Sequence, residues 1–530
     1  MRGTAWITFL CFLFALTPMW SQEGIDPVLS WGPSYRAPGN STLEKVVGFT
    51  PENVYFLREK HIGAFANRDK IFMERYSRDL KLKHSEEIVL QYDKKDVNLE
   101  DVLFLNNQLY LLTSYPNQAH EKVYLFLQKL SDRQMRPTGK ARMIVEGPLT
   151  QKNTYGKSFD LQLSEDSSKL LVYHQIPTAP REPERFALHV FDEEMELQWN
   201  REVILPYPNE QLRMREYRVD ETGKVYLMGA VYNTGQRNRR LPSYYLVLQY
   251  QEGEQVPVEW RIDLEEKFIT ELTFRIARNG DLICSGFYSE RDAYSAKGVC
   301  YFRLDAFTRQ VVTQTWQPFD FEFRAEELSN RGRERAFRAE VEGNDLRSAE
   351  LSGYNLDKLV LRTDGGALLV AEQYFMQERF NRFRDGTVQI TRVYYYNDLI
   401  VVNIRPSGEI EWSVRIPKQQ VSVNDNGYFS SYVMATVRDR LYFLYNDNDR
   451  NFNANTRPGQ IFTYNGSQSV IALAEVGKDG SYSVAPLSLN KDASIITRPK
   501  VSRQMGSRLL LVVGEWGRNI RLGNLIFPAP

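Results

Sequence analysis

An all-β fold built from repeated antiparallel units is predicted by three observations. Helical periodicity is nearly absent from the 530-residue chain, one short hairpin recurs eight times along it, and a second hairpin follows most copies of the first. In the first hairpin, an apolar strand enters a tight polar turn and leaves as a more hydrophobic strand. The clearest copies turn at Glu221-Thr222-Gly223, Asn279-Gly280 and Asp364-Gly365-Gly366. Looser copies turn at Pro51-Glu52, Asn106-Asn107, Asp166-Ser167, Arg438-Asp439 and Met505-Gly506. Gly and Asn suit these turns because they tolerate positive φ. The copies lie roughly 55–85 residues apart, the spacing of propeller blades with loop insertions.

The second hairpin turns at Asp192-Glu193-Glu194, Gln251-Glu252-Gly253, Ala306-Phe307-Thr308, Pro406-Ser407-Gly408 and Lys478-Asp479-Gly480. Four of these turns are followed by a tryptophan, Trp199, Trp260, Trp316 and Trp412. A large aromatic recurring in one register reads as packing between units, because such side chains bury much apolar area. Each unit is therefore a four-stranded meander, a-b-c-d, which cannot bury both faces alone and does so by stacking on like sheets around an axis. The prediction is a single β-propeller over 22–530, of eight blades with seven as the alternative. The last unit, Ile495 to Phe527, has about three strands, and the segment between Val28 and Val47 is the candidate to complete it. An insertion at about 320–350 interrupts the series. Within it, Arg324 to Glu342 reads as a charged, solvated helix or a flexible segment.

Bulk composition narrows the function classes. Lys+Arg and Asp+Glu are both 67, so the formal charge is zero, which argues against a nucleic-acid partner. Hydrophobic residues make up 42% of the chain, enough for an extensive core. The N-terminus predicts an export signal over 1–21. Arg2 supplies the positive end, Ile7 to Leu16 an apolar run too short to span a bilayer, and Ser21 the small residue before a cut at Gln22. An uncleaved anchor is the alternative. The expected location is periplasmic or extracellular, with no membrane span after signal removal.

Two cysteines remain after such a cut, Cys284 and Cys300. They are equidistant from a loop centred near Asp292. A simple hairpin would set them opposite each other, leaving a disulfide and a pair of buried thiols both open.

The turns are unequal in a way that points to one face. The a–b and c–d turns are short. The b–c connections are long, at Pro177–Arg185, Asn233–Pro242, Ser289–Lys297, Gln377–Thr391 and Asn448–Pro458. Because strands alternate in direction, b–c and d–a connections emerge together, and long loops on a rigid scaffold are where binding concentrates. Candidate ligand-binding residues on that face are Glu372, Gln373 and Tyr374, Lys418 and Gln419, and Asn446 and Asp447. Arg379 and Phe380 join them from the Gln377–Thr391 loop. The competing reading is that the polar groups cap strand ends and tie blades together. A basic run at Arg237, Asn238, Arg239 and Arg240 is a lesser candidate.

The stretches Asp364–Tyr374, Tyr394–Val401, Trp412 with Ile416–Gln419, and Leu444–Asn448 resemble uncharacterised secreted β-propeller-like proteins of Bacteroidota. The resemblance is densest over 350–450. It implies export and a propeller-like fold, and it carries no catalytic residues to transfer.

Enzyme signatures are sparse. Asp447-x-Asp449-x-Asn451-x-Asn453 has the alternating oxygens of a calcium loop but has Phe452 and Pro458 where such loops need Gly and Glu. No His pair has zinc-ligand spacing, no Gly-x-Ser-x-Gly elbow is present, and no Gly-rich phosphate loop opens a helix. No metal, cofactor or catalytic residue is predicted. The expectation is a binding or scaffold propeller of the cell envelope that engages a protein or glycan. The alternatives are a carbohydrate-active hydrolase or lyase using Glu372, Asp398 and Asp447, and a structural subunit of an envelope complex.

Overall fold

The computed structural model describes residues 27–528 apart from 63–68, 151–156, 180, 233–241, 291–293, 345–348, 454–455, 457–459, 465, 467–468 and 491–493. The expected export signal and the basic run Arg237–Arg240 lie outside the described residues. No helix among the described residues is long and apolar enough to cross a membrane.

Among the described residues, eight antiparallel sheets of four or more strands follow one another along the chain, six of four strands, one of five and one of six, with two two-stranded ribbons beside them. Blade 1 comprises Ser41–Phe49, Asn53–Lys60, Lys70–Ser77 and Leu82–Ile88. Blades 2 to 5 run from Asn98 to Pro148, Asp160 to Pro208, Leu212 to Asp263, and Phe268 to Pro318. Blade 6 comprises Tyr354–Leu361, Ala367–Arg382, Val388–Ile404 and Ile410–Ile416, with Gln420–Val423 added. Blade 7 comprises Tyr432–Val437, Arg440–Asn448, Ser469–Val476 and Tyr482–Leu489. Seven of the eight predicted a–b turns stand where expected, with positive φ at Asn106, Asn107, Ser167, Gly223, Gly280, Gly365 and Arg438; the eighth falls at Ser507-Arg508, because Met505-Gly506 still belongs to the strand.

Blade 8 closes the ring. It takes Ile496–Thr497 and Arg503–Gly506 as a broken inner strand, then Leu509–Trp516 and Asn519–Ile526. Its outer strand comes from the other end of the chain. Val28–Trp31 pairs with Gly523–Ile526, and Tyr35–Arg36 with Asn519–Ile520. The predicted loan from the N-terminal segment is thus Val28 to Arg36, while Ser41 onward begins blade 1.

The core is not one mass but eight layers, one between each pair of neighbouring blades. Blades 1 and 2 share a layer around Met73 and Leu109, and blades 4 and 5 share one around Trp260 and Phe274. The last layer joins Phe56 and Tyr76 of blade 1 to Leu511 and Val513 of blade 8, so the stack is circular. Middle strands therefore have two apolar faces. Val225–Val231 and Leu282–Ser289 are buried at every position.

Three of the four tryptophans also reach across a seam, as their register predicts. The indole nitrogen of Trp199 donates to Gly223 O at 3.0 Å, that of Trp260 to Asp305 O at 3.3 Å, and that of Trp412 to Lys478 O at 2.9 Å. Gly480 beside Trp412 has φ +82, and a Cβ there would lie 2.8 Å from the indole, so the turn needs glycine twice over. Trp316 differs: it packs edge-on against Phe302 and Tyr288 of its own blade.

Polar links run around the inner strands as well. Lys45 pairs with Asp101 between blades 1 and 2, and Thr273 donates to Glu216 at 2.8 Å between blades 4 and 5. Leu356 N donates to Glu271 at 2.6 Å between blades 5 and 6, and the Tyr432 hydroxyl to Asp357 at 2.8 Å between 6 and 7. Several inner strands bulge at a polar residue: Glu44, Glu100, Arg215, Thr270 and Asp357. A bulge re-aims one side chain without breaking the alternation on either side.

Two expectations are corrected. The simple hairpin alignment of the cysteines is wrong by two residues: Cys284 lies opposite Phe302, and Cys300 opposite Gly286. Both are buried free thiols within the layer between blades 4 and 5, so the candidate disulfide at Cys284 and Cys300 is not formed. The insertion, for its part, is neither one helix nor loose. It forms α1 (Phe321–Ala325) and α2 (Asn330–Val341). Buried Arg324 ties them down by donating to Phe319 O, Ala349 O and Glu340.

One seam residue pair is titratable. His174 and His189 stack at 5.6 Å in blade 3, and the edge of Phe159 meets His174. Gly147 of blade 2 makes room, since a Cβ there would lie 3.1 Å from the His174 ring. Burial lowers both imidazoles from 6.5 to about 4. The folded state therefore binds fewer protons than the unfolded one between these values. The stability that the neutral pair contributes is whole above pH 6.5 and is lost as pH falls toward 4. The double variant His174→Phe, His189→Gln is expected to lose less thermal stability than the parent between pH 7 and pH 4.5, measured by melting temperature across that range.

Ring closure gives a second expectation. A chain beginning at Ser41 lacks the outer strand of blade 8 and exposes the edge of Asn519–Ile526. It is expected to melt at a lower temperature and to elute partly as aggregates in size-exclusion chromatography. An unchanged melt and elution would show that this strand does not hold the ring closed.

Candidate functional site

The b–c face of blades 6 to 8 carries a connected polar network, built where strands end and main-chain groups run out of ladder partners. Glu372 ends the straight part of strand b in blade 6. Its Oε1 accepts from Lys418 Nζ at 2.6 Å, and its Oε2 accepts from Ser431 Oγ at 2.7 Å. Lys418 follows Pro417 at the end of strand d and is fully buried. It donates also to Tyr396 O at 3.0 Å and to Gln420 Oε1 at 3.3 Å. Gln420 Oε1 accepts Ser431 N at 2.7 Å, and its amide donates to Asn446 O at 2.7 Å. Asn446 then crosses to blade 8, donating to Thr497 O and accepting from Thr497 Oγ1, both at 2.7 Å. Ser431 sits at φ +72, a left-handed backbone held by these contacts.

Glu372, Lys418 and Asn446 are thus brought together as their strand-end positions predict. Asp398 joins them, accepting Lys418 N at 2.9 Å. Asp447 turns into its own loop, accepting from Asn448 N at 2.7 Å and Asn451 Nδ2 at 2.8 Å. Burial pushes the Asp398 and Asp447 carboxyls up to about 6. Gln373 is fastened to Ser352 O and Asn397, and Gln419 to Thr463, so neither belongs to the network. Sequence reasoning chose Gln419 where the structure uses Gln420. Residues 418 and 420 share one side of an extended chain, so period-two alternation was the missed signal. Thr497 carried no sequence signal.

This arrangement is chemistry of attachment. The three carboxylates proposed for glycoside cleavage are engaged by Lys418, by backbone N–H groups and by Asn451 rather than paired across an open cleft. The capping alternative accounts for Glu372, Lys418, Asn446 and Asp447 in full. Lys500 sits at the network's outer side, donating to the Tyr396 hydroxyl at 2.7 Å and Asn426 O at 3.0 Å. Desolvation lowers its pKa.

The remaining candidates stand above this floor. The Gln377–Thr391 segment is not a loop, which corrects the sequence expectation. Strands b and c of blade 6 continue past the propeller as a hairpin arm, from Tyr374 paired with Tyr396 to Arg382 paired with Val388. Gly386, with φ +85, makes the tip turn. The arm reaches roughly 30 Å at strand rise. Gln420–Val423 pairs with Val393–Tyr396 and braces its base. Tyr374 leans on Tyr396 with ring centres 4.8 Å apart, and Phe375 stacks on Tyr395 at 4.4 Å. Farther out, Phe380 is 64% exposed, with Met376, Phe383, Val388 and Ile390 also exposed. Beside the arm, the α1–α2 link presents Glu326 and Glu327, which hold Arg415 of strand d.

Elsewhere, Glu59, His61 and Asp69 of blade 1 place ligand-type atoms within 4.8 Å of one another. His61 Nδ1 lies 2.7 Å from Asp69, and Ile62 N donates to the same carboxylate, so Asp69 is already engaged by hydrogen bonds.

Eight four-stranded meanders around one axis, sealed by a strand from the opposite terminus, define a β-propeller. No family model matches the chain, and no curated protein sequence matches it. Solved structures similar to it include three propeller-type folds. The β-propeller domain of the trilobed protease from Pyrococcus furiosus has 11% identity and a TM-score of 0.34, covering 85% of this chain and 96% of that one. The WD40 domain of SCAP from fission yeast has 8% identity and a TM-score of 0.37, covering 95% and 98%. The periplasmic gluconolactonase of Pseudomonas aeruginosa has 12% identity and a TM-score of 0.32, covering 71% and 86%. Scores this low add nothing to the topology, which alone defines the fold.

Lys418→Met tests the network. It leaves Glu372 buried without its counter-charge and is expected to cost about 3–5 kcal/mol of unfolding free energy. Adding Glu372→Leu should restore part of the loss. A single substitution with no effect in denaturant titration would show that the pair does not stabilise the network.

Proposed function

We propose that this chain is an exported binding or scaffold propeller of the cell envelope, and that it engages a protein through the arm-bearing b–c face. The observation that carries the reading is the arm. A rigid eight-bladed ring has tight turns on one face. On the other it projects a long hairpin whose outer aromatic and aliphatic side chains are exposed. The buried Glu372–Lys418 network fixes the base of that hairpin to two neighbouring blades, so what the arm presents is held in place. A glycan is the second ligand class, supported by the same exposed aromatics. Export rests on the apolar N-terminal run and on the likeness to secreted proteins of Bacteroidota.

The test shortens the arm. Replacing Gln377–Thr391 by Asn-Gly keeps Val393–Tyr396 for pairing with Gln420–Val423. Native-envelope pull-down and a glycan array are then run with both chains. Loss of a partner seen with the parent, with an unchanged melting temperature, is the expected result. Retention of every partner by the shortened chain sinks the assignment of the face.

A further inference from the structure

We propose that the arm binds by strand addition, taking an extended acidic segment of a partner protein along the free edge from Met376 to Arg382. The inference rests on the reading of the b–c face as the binding face and specifies its mode and partner chemistry.

Main-chain geometry comes first. Tyr374 N donates to Gly353 O at 2.9 Å, so its polar groups point away from the returning strand. At the other end, Phe383 N donates to Thr387 O at 2.9 Å, toward the returning strand. Strand alternation between these two anchors turns the N–H and C=O of Met376, Glu378, Phe380 and Arg382 outward. Strand a of blade 6 pairs only as far as Gln373, and no other strand among the described residues pairs with this edge. Such a row is a template for another strand. Two of the usual protections, proline and a bulge along the edge, are absent. No proline occurs between Ala367 and Ile404, and the bulge sits at the base beside Gln373 rather than along the edge.

Side chains then choose the partner. Met376 and Phe380 project from one face of the arm and Phe375 from the other, all exposed. The charges are not balanced. Glu378 is taken by Arg392 at 3.0 Å, and Asp385 caps the tip by accepting from Thr387 N and Oγ1. Arg379 reaches only the Tyr395 hydroxyl, at 3.3 Å, and neither Arg382 nor Arg384 meets a carboxylate among the described residues. What remains uncompensated is cationic. A strand with acidic residues opposite Arg379 and Arg382, and apolar ones opposite Phe375 and Phe380, satisfies both the edge and the charge. A second copy of this chain satisfies only the edge, because it sets the same arginines against one another.

The probe is a labelled nine-residue peptide with Glu at the two positions that fall opposite Arg379 and Arg382 and Phe or Val elsewhere, compared with the same peptide carrying Lys in place of Glu. By fluorescence anisotropy with the full chain, the acidic peptide is expected to bind at least about tenfold tighter. Amide hydrogen exchange should slow at Met376, Glu378, Phe380 and Arg382. Glu378→Pro removes one outward N–H without touching an arm ladder bond but also releases Arg392, so Glu378→Gln is the reference, against which the proline should weaken binding about tenfold. Arg379→Glu with Arg382→Glu should reverse the preference between peptides. Equal affinities, or no slowing at those four amides, overturn the proposal. So does a dimer in sedimentation whose edge amides are slow without peptide, which assigns the edge to a second copy. If the shortened arm loses envelope partners that Glu378→Pro keeps, strand addition fails while the binding face stands. If the shortened arm keeps them, both fail.

Discussion

A four-stranded sheet with two apolar faces has to be covered on both, and this constraint organises the whole chain. Each blade meets it only through its neighbours, so stability resides in the seams. Eight seam layers for eight blades leave no end blade to cap. That is why the ring must close, and why Val28 to Arg36 pairs with the last strand of the chain instead of beginning blade 1. Closure links residues almost the full sequence apart. The loop-closure entropy of doing so grows only slowly with length, whereas an open ring would expose one face of two sheets.

The seams are not uniformly apolar. Inner strands bulge at Glu44, Glu100, Arg215, Thr270 and Asp357, and carboxylates such as Glu100, Glu216, Glu271 and Asp357 accept hydrogen bonds from the next blade. These links are directional where hydrophobic contact is not. They fix the rotation of each blade relative to its neighbour. The Glu372–Lys418–Gln420–Asn446–Thr497 chain does the same on the b–c face across blades 6, 7 and 8. A buried ion pair there contributes little net free energy against its desolvation, but its geometry admits one arrangement of three blades.

The sequence disclosed the parts of this design that depend on backbone conformation. Turns needing positive φ announce themselves through Gly and Asn at Asn106-Asn107, Gly223, Gly280 and Gly365, while those at Pro51-Glu52, Asp166-Ser167 and Arg438-Asp439 were legible from the apolar strands that flank a polar break. The tryptophans disclosed three seams, because an indole repeated in one register implies one repeated neighbour. Links made by residues with no shared sequence signature, such as Arg324 in the insertion or Thr497 at a seam, were not legible. The arm was misread for a related reason. Its strands alternate two mixed faces, apolar and charged on each side, and neither face is buried, so they lack the contrast by which a half-buried strand is recognised. Asp385-Gly386 was nonetheless a hairpin signal of the same kind as the turns that were read correctly.

The same absence of contrast explains what the arm can do. A strand that belongs to a core spends its apolar side chains on the neighbouring blade and its main-chain groups on the ladder. Beyond Tyr374 neither use is available, because blade 7 and strand a both stop at the propeller surface. Bracing by Gln420–Val423 stiffens only the base. The outer half therefore keeps two mixed faces, an edge on strand b free from Met376 to Arg382, and a shorter one on strand c beyond the brace. Its ordered conformation is supported by the cross-strand pairs Phe375–Tyr395, Glu378–Arg392 and Phe380–Ile390. Those pairs hold the hairpin flat while leaving the edge open, and the uncompensated arginines along it discourage indiscriminate pairing with other apolar strands. An edge both held ready and guarded by charge is the arrangement expected of a surface that recruits a strand selectively.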